Sequence, residues 1–152
     1  MTTGLPSWGA ALLRVMLGVI YVAHGYHAYA VVTVPELAGY VVRMNYPLLI
    51  SELLGWYLVI AHLLGGGLMV VGLWTRAAAI AQLPIMFSAV FLLHWSQGFF
   101  MRGMTIDTPQ GQRVIAAGSE FSLLVLVATV SLVLLGSGAG ALDTVRRRGR
   151  RG

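Results

Sequence analysis

Six acidic or imidazole side chains stand inside or at the ends of long uncharged stretches of this chain. They are His24, His27, Glu52, His62, His94 and Glu120. Imidazoles change charge near neutral pH, and carboxylates take up or release protons and accept hydrogen bonds. Because ionisable groups are costly within a bilayer, these side chains are candidates for proton transfer or for binding a polar ligand group.

Four stretches without any formal charge define the elements that must position these residues. They are 21, 23, 25 and 22 residues long, and a hydrocarbon core of about 30 Å needs about 20 apolar residues in a helix. The sequence therefore predicts an all-α integral membrane fold, a four-transmembrane-helix bundle. The predicted spans are residues 8–30, 48–74, 77–95 and 112–135, within a transmembrane domain of residues 1–142.

The connections between the spans differ in composition. Thr33 to Glu36 has the form of a capping box, and apolar residues recur behind it at helical spacing, which predicts a short amphipathic interfacial helix over residues 34–45. The turn at residues 73–76 is tight, so the second and third spans are expected to be antiparallel neighbours. Residues 96–112, with their glycines and proline, are expected to form an irregular loop.

Composition limits what else the chain can contain. With 152 residues, 58% of them hydrophobic, and a mean hydropathy of +0.82, four spans leave no room for a catalytic soluble domain. The chain has no cysteine, so a Cys-ligated iron–sulfur cluster would belong to a partner. Five of the ten arginines stand in the last seven residues, so the net charge of +5 reflects the tail and does not indicate nucleic-acid binding.

The distribution of arginines predicts the orientation of the chain. Tails and short loops rich in Lys and Arg stay in the cytoplasm, which makes residues 143–152 a basic cytoplasmic tail. An even number of spans then puts the N-terminus in the cytoplasm too, in a multi-pass protein of the inner (plasma) membrane. Arg14 is interpreted as a residue that reaches back to the inner head groups. The arginines expected to contact partner acids or anionic lipid are Arg76, Arg146, Arg147, Arg148, Arg150 and Arg151.

This topology brings most of the six candidates to one leaflet. Helical rise places His62 about 15 Å deeper than Glu52, near the midplane. The tyrosines, Tyr21 among them, are interpreted as belt and packing residues. The sequence thus predicts a cluster near the outer face, whose members are His24, His27, Glu52, His94 and Glu120.

Several segments, in order along the chain, resemble the DoxX family of membrane proteins. Arg14 to Gly18 with His24-Gly25 is similar to the family's R-x-x-x-G and H-G elements, and Gly65-Gly66 with Gly72 to Arg76 is similar to its G-G-x-L-x-x-x-G-L-x-T-R signature. His94 to Phe100 is similar to its H-x-x-N-G-F-F segment. Gly118 to Glu120 and Gly136 to Asp143 are similar to the G-x-E start and the G-x-G…L-D end of its last helix. One departure is His62, which stands where the family usually has an acid.

The resemblance implies a function that the residues alone do not. Family members are associated with membrane oxidoreductases, including the quinone-reducing membrane part of thiosulfate oxidation. The chain is thus expected to be a membrane subunit of a respiratory-type oxidoreductase complex, not catalytic alone, that helps to bind menaquinone or ubiquinone near the outer leaflet. Such a site needs an apolar slot and protonatable groups. The expected head-group contacts are His24, His94 and Glu120, with His62 as a proton relay.

Three alternatives stay open. The chain would otherwise be a non-catalytic membrane anchor or assembly subunit for a partner redox enzyme. A carrier or channel would need a continuous polar path, for which the inner half offers only Arg14, Thr75 and Gln82. Haem or metal binding would have His24 or His62 face His94, but the sequence has no Cys-His haem motif.

Overall fold

The structure is a computed structural model that describes residues 4–42, 45–108 and 111–149. It is mostly helical, at 78%. In chain order the elements are α1 Leu5–Val32, α2 Val34–Val42, α3 Leu48–Val71, α4 Thr75–Gln97, β1 Arg102–Thr108, β2 Gly111–Ala117, α5 Glu120–Leu135 and α6 Leu142–Gly149.

Three helices, α1, α3 and α4, are long and apolar enough to cross a membrane, with 28, 24 and 23 residues. Their bounds agree with the first three predicted spans to within three residues at each end. Helix α5 is apolar but has only 16 residues, which corresponds to about 24 Å of length against about 30 Å of hydrocarbon. The length of α5 alone therefore does not make it a span.

The prediction for residues 102–108 and 111–117 is wrong. Instead of an irregular loop followed by a helix from residue 112, β1 and β2 form an antiparallel hairpin, with Arg102 opposite Ala117 and Thr108 opposite Gly111. Helix α5 begins only at Glu120. Both strands carry β-branched residues, such as Thr105 and Val114, which are themselves a cross-strand pair. Residues of this shape favour the extended backbone over the helix.

Helix α3 ends at Val71, short of the predicted residue 74, because a left-handed turn follows. Gly72 has a φ of 72° and Trp74 a φ of 50°. A side chain at Gly72 would also collide with the Arg14 guanidinium and with Ala141, so this position needs glycine for two reasons.

The segment after α5 folds back over that turn and closes one end of the bundle. The Ala139 N–H donates to the Ser7 carbonyl at 2.9 Å, and the Asp143 N–H donates to the Gly72 carbonyl at 2.9 Å. Arg14 is only 3% exposed, with its Nη2 3.5 Å from the Ala139 carbonyl. The interpretation of Arg14 as a snorkelling residue is therefore wrong, because its side chain is enclosed by the bundle. We call this end the terminal end and the opposite one the hairpin end.

Each of the three long helices contains one π-helical turn, at Ala28–Val32, Ala61–Gly65 and Ala89–His94. A π turn replaces the usual hydrogen-bond pattern locally, and such turns are frequent at functional sites. His62 lies in the second of these turns and His94 ends the third.

The predicted interfacial helix corresponds to α2, Val34–Val42. Val34 is buried together with Ala28 of α1 and Val59 of α3, so this short helix is packed against the bundle. The predicted end at residue 45 is not observed, since Asn45 lies in a turn with a φ of 65°; residues 43–44 lie outside the described residues. The main core draws on α1, α3, α4 and α5 through Leu17, Tyr21, Met69, Ala79 and Leu132.

Candidate functional site

Four helices each contribute one buried polar side chain to the centre of the bundle. The residues are Tyr21 from α1, His62 from α3, Gln82 from α4 and Thr129 from α5, and none is more than 6% exposed. We call them the polar layer. Because lipid surrounds the bundle at this depth, their hydrogen-bonding groups depend on partners inside the protein.

Tyr21 and Thr129 link α1 to α5. Their hydroxyl oxygens are 2.5 Å apart, and the Thr129 hydroxyl donates to the Val125 carbonyl at 2.7 Å. Since a hydroxyl has a single proton, Tyr21 must be the donor to Thr129. The Tyr21 ring also meets the His62 ring edge-on, with centroids 5.0 Å apart and an interplanar angle of 69°. This residue, interpreted from the sequence as a belt or packing residue, thus holds two other members of the layer.

Gln82 contacts the π turn that carries His62. Its Nε2 donates to the Ala61 carbonyl at 2.6 Å, and because a carbonyl only accepts, this bond orients the amide and leaves Oε1 as an acceptor. The Gln82 and His62 side chains are neighbours. Within the described structure, Gln82 Oε1 and His62 Nδ1 are both buried without a hydrogen-bond partner. The layer therefore has one unused acceptor beside a ring nitrogen that can donate or accept.

His24 lies one turn along α1 from Tyr21, on the exposed side of the helix. Its Nδ1 is 2.9 Å from the Ile20 carbonyl, so Nδ1 carries the proton, and in the neutral ring Nε2 keeps its lone pair. The ring stacks on Phe121 at the start of α5, with centroids 6.3 Å apart and an interplanar angle of 21°. His24 is also close enough to His62 for their charges to interact. The exposed imidazole of His24 thus lies close to the buried imidazole of His62.

The glycine that follows His24 explains why the two imidazoles are neighbours. A Cβ at Gly25 would lie 2.8 Å from the His62 Cβ and 3.0 Å from the Leu63 backbone nitrogen. Helices α1 and α3 therefore touch at this point, and only glycine permits the contact. The His24-Gly25 pair combines an imidazole on the surface with close packing behind it.

At the hairpin end, His94 and Glu120 make hydrogen bonds that hold the hairpin to the bundle. His94 Nδ1 is 3.0 Å from Gln97 Oε1, which also accepts from the Gly118 N–H at 3.2 Å. Glu120 Oε1 accepts from the Met101 N–H at 2.9 Å. Among the described residues, no hydrogen bond or ring contact joins either of them to His24 or His62.

The remaining predicted residues lie outside these groups. His27 and Glu52 are exposed on the surfaces of α1 and α3. Arg76 is exposed near the terminal end, and its Nη2 donates to the Leu134 carbonyl at 3.2 Å. Arg146, Arg147 and Arg148 belong to α6, whereas Arg150 and Arg151 lie outside the described residues.

Sequence reasoning did not find Tyr21, Gln82 and Thr129 as site residues. A signal for two of them is present in the spacing. Arg14 and Tyr21 are seven residues apart, and so are Thr75 and Gln82. Polar residues at this interval lie on one face of a helix two turns apart, so both pairs indicate a buried polar stripe.

The helices and the enclosed polar layer define an α-helical membrane protein. The model of the DoxX family matches residues 9–95, more than half of the chain, and the chain belongs to this family. No curated relative and no solved structure matches the sequence. The matched range includes His24 and three members of the polar layer, and it ends before the hairpin.

Proposed function

We propose that this chain is a membrane subunit of a quinone-linked oxidoreductase complex, in which His24 contacts the quinone head group. The observation that carries the proposal is the arrangement of His24, with Nδ1 bonded to its own helix, Nε2 free and the ring stacked on Phe121. The DoxX family is loosely associated with oxidoreductase-related functions, which agrees with the proposal.

The residues present fit a quinone such as menaquinone or ubiquinone. The Nε2 of His24 accepts a hydrogen bond or a proton from a hydroxyl of the reduced quinone, and in the protonated ring it donates to a carbonyl of the oxidised quinone; Phe121 offers a flat apolar face. When bound, a quinone supplies two-electron redox chemistry coupled to two protons.

The residues behind His24 suit proton transfer. A proton taken up at His24 Nε2 makes this ring an imidazolium, whose charge repels a proton on His62, so His62 takes a proton only after His24 has released its own. His62 has a ring nitrogen without a hydrogen-bond partner in the described structure, next to the unused Oε1 of Gln82. We assign His24 to head-group contact and His62 to holding a proton further inside. His94 and Glu120 are assigned to positioning the hairpin.

The test is the amount of quinone that stays with the purified protein. His24→Ala and the matched control His27→Ala, three residues along the same exposed surface, are purified in parallel, and the quinone is extracted and quantified per chain. Loss of a hydrogen bond of about 1.4 kcal/mol corresponds to about ten-fold weaker binding. We expect retained quinone to fall by about this factor in His24→Ala only. Equal amounts in both variants, or none in the wild type, would sink the proposal.

The rival function is a non-catalytic anchor or assembly subunit for a redox enzyme. It predicts that His24→Ala leaves quinone-linked electron transfer by the assembled complex unchanged at normal complex abundance. Under our proposal that activity falls while abundance is unchanged, because His24 is exposed and its loss opens no cavity.

The proposal includes a topology in which α5 also crosses the membrane and both termini are cytoplasmic. Support comes from the apolar character of α5 and from the arginine-rich tail. Cysteines introduced at Gln110 and Thr144 should then react with an impermeant reagent from opposite sides, Gln110 from outside. Labelling of both positions from one side would contradict the four-span arrangement.

A further inference from the structure

Formal charge is distributed unequally between the two ends of the molecule. Among the described residues, the terminal end has five arginines and one acid, whereas the hairpin end has two arginines and four acids. The terminal-end residues are Arg14, Arg76, Asp143, Arg146, Arg147 and Arg148. The described part of the terminal end therefore has a formal charge of +4, against −2 for that of the hairpin end.

The acid at the terminal end is occupied within the protein. Asp143 Oδ1 accepts from the Trp74 N–H at 2.8 Å, and its Oδ2 accepts from the Thr75 N–H at 3.0 Å. Its charge also interacts with the buried Arg14. Asp143 thus serves the turn between α3 and α4, and the arginines that follow it along the chain are not balanced by a further acid.

The same contacts hold the start of α6 against the bundle. The Asp143 N–H donates to the Gly72 carbonyl at 2.9 Å, and the Thr144 hydroxyl donates to the Gly138 carbonyl at 3.1 Å. The arginine run, Arg146 to Arg148, begins about 4.5 Å further along the helix than Asp143. The position at which these cations leave the bundle is therefore set by the fold.

Exposed apolar side chains stand beside the arginine run. Trp74 is 62% exposed, Leu142 47% and Val145 64%. Leu142 and Val145 are three residues apart in α6, the spacing of neighbours on one helix face. Trp74 follows the end of α3, a helix long enough to span, at the depth where tryptophan is enriched in membrane proteins.

We propose that this surface, formed by Trp74, Arg76, Leu142, Val145 and the arginine run, binds acidic phospholipid head groups of the leaflet that it faces. Cations next to exposed apolar side chains at the end of a span are the combination that anionic bilayer surfaces attract. A water-soluble acidic protein would match the arginines, but it would not need the apolar neighbours at head-group depth. The inference is independent of the quinone proposal.

The test measures which lipid stays with the full chain. The protein is reconstituted into nanodiscs of equal parts phosphatidylglycerol and phosphatidylcholine, transferred to detergent, and weighed by native mass spectrometry. We expect the wild type to retain phosphatidylglycerol in preference to phosphatidylcholine. The triple variant Arg146→Gln, Arg147→Gln, Arg148→Gln should lose this preference, by on the order of 100-fold in affinity. The matched control is Arg102→Gln at the hairpin end, which should leave it unchanged.

A second variant separates lipid binding from a purely electrostatic role. Leu142→Asn keeps every arginine but removes apolar surface, and it should weaken phosphatidylglycerol retention by about ten-fold. Unchanged retention in the triple variant, or equal loss in Arg102→Gln, would overturn the proposal. So would binding of a soluble acidic protein that needs the arginines and is insensitive to Leu142→Asn.

Discussion

The polar layer and the hairpin end contain similar side chains, but the hydrogen-bonding groups of these side chains find their partners in different ways. At the hairpin end, His94 bonds to a residue three positions away, at the end of its own helix, and Glu120 bonds to one nineteen positions away, in the adjoining connection. In the polar layer, the partner of Tyr21 is 108 positions away on another helix. There, His62 Nδ1 and Gln82 Oε1 have no hydrogen-bond partner in the described part of the chain.

The difference has a simple cause. A connecting segment can bend until its backbone N–H groups meet a carboxylate or an amide, as Met101 and Gly118 do. A helix uses its own backbone groups, so a side chain in its interior depends on what a neighbouring helix presents. Polar groups within the bundle are therefore the ones left available for a proton or a ligand.

The largest expected effect tests the helix contact on which the polar layer depends. Gly25→Leu would force a side chain into the space that the His62 Cβ and the Leu63 backbone occupy, at a cost of about 3 kcal/mol or more in unfolding free energy. Gly9→Leu is the matched control on α1, since a Cβ there meets nothing within 4 Å. The fraction of folded protein in detergent, read by size exclusion, should fall for Gly25→Leu alone. An equal fraction of folded protein for both variants would contradict the close contact between α1 and α3 at Gly25.

The next effect compares two glutamines, one from each region. Gln82→Leu leaves the Ala61 carbonyl without its side-chain donor, and we expect a loss of about 1–2 kcal/mol in unfolding free energy. Gln97→Leu should affect only the attachment of the hairpin, because its side chain bonds to His94 at the end of α4 and to the Gly118 N–H just after β2. Denaturant unfolding in mixed micelles measures both. A larger loss of unfolding free energy for Gln97→Leu than for Gln82→Leu would contradict this expectation.

A smaller effect measures the bond between α1 and α5. Tyr21→Phe, Thr129→Val and the double variant form a double-mutant cycle around the hydroxyl pair at 2.5 Å. Hydrogen bonds between membrane helices average about 0.6 kcal/mol, and we expect a coupling energy of this size. A coupling energy of zero would mean that the two hydroxyls do not interact in the folded protein.

The smallest effect is local. Glu120→Ala removes the acceptor of the Met101 N–H, and we expect hydrogen exchange at that amide to speed up by about ten-fold. Global unfolding should be unchanged, since the hairpin lies outside the bundle core. Glu120→Gln, which keeps an acceptor oxygen, is the control. A drop in global stability in Glu120→Ala would show that the hairpin end and the core are not separate.

Much of the fold could be predicted because it depends on long runs of residues that share one property. Runs of uncharged residues set α1, α3 and α4, the Thr33 to Glu36 segment marked the start of α2, and Pro47 marked the start of α3. The hairpin was not predicted because glycines and a proline in this part of the chain favour a loop, whereas both strands also carry β-branched residues, such as Thr105 and Val114, that favour extended backbone.

The sequence by itself determined where α1, α3 and α4 form, which side chains are polar within them, and that a basic run follows α5. Only the tertiary structure decided which of those side chains meet. In the folded protein, Arg14 is enclosed by the bundle and His62 lies beside Tyr21 and Gln82. His94 and Glu120 instead make hydrogen bonds at the hairpin end. The reason is that helical periodicity specifies a face, but the neighbour of that face depends on how closely helices approach, and here a single glycine, Gly25, sets that approach.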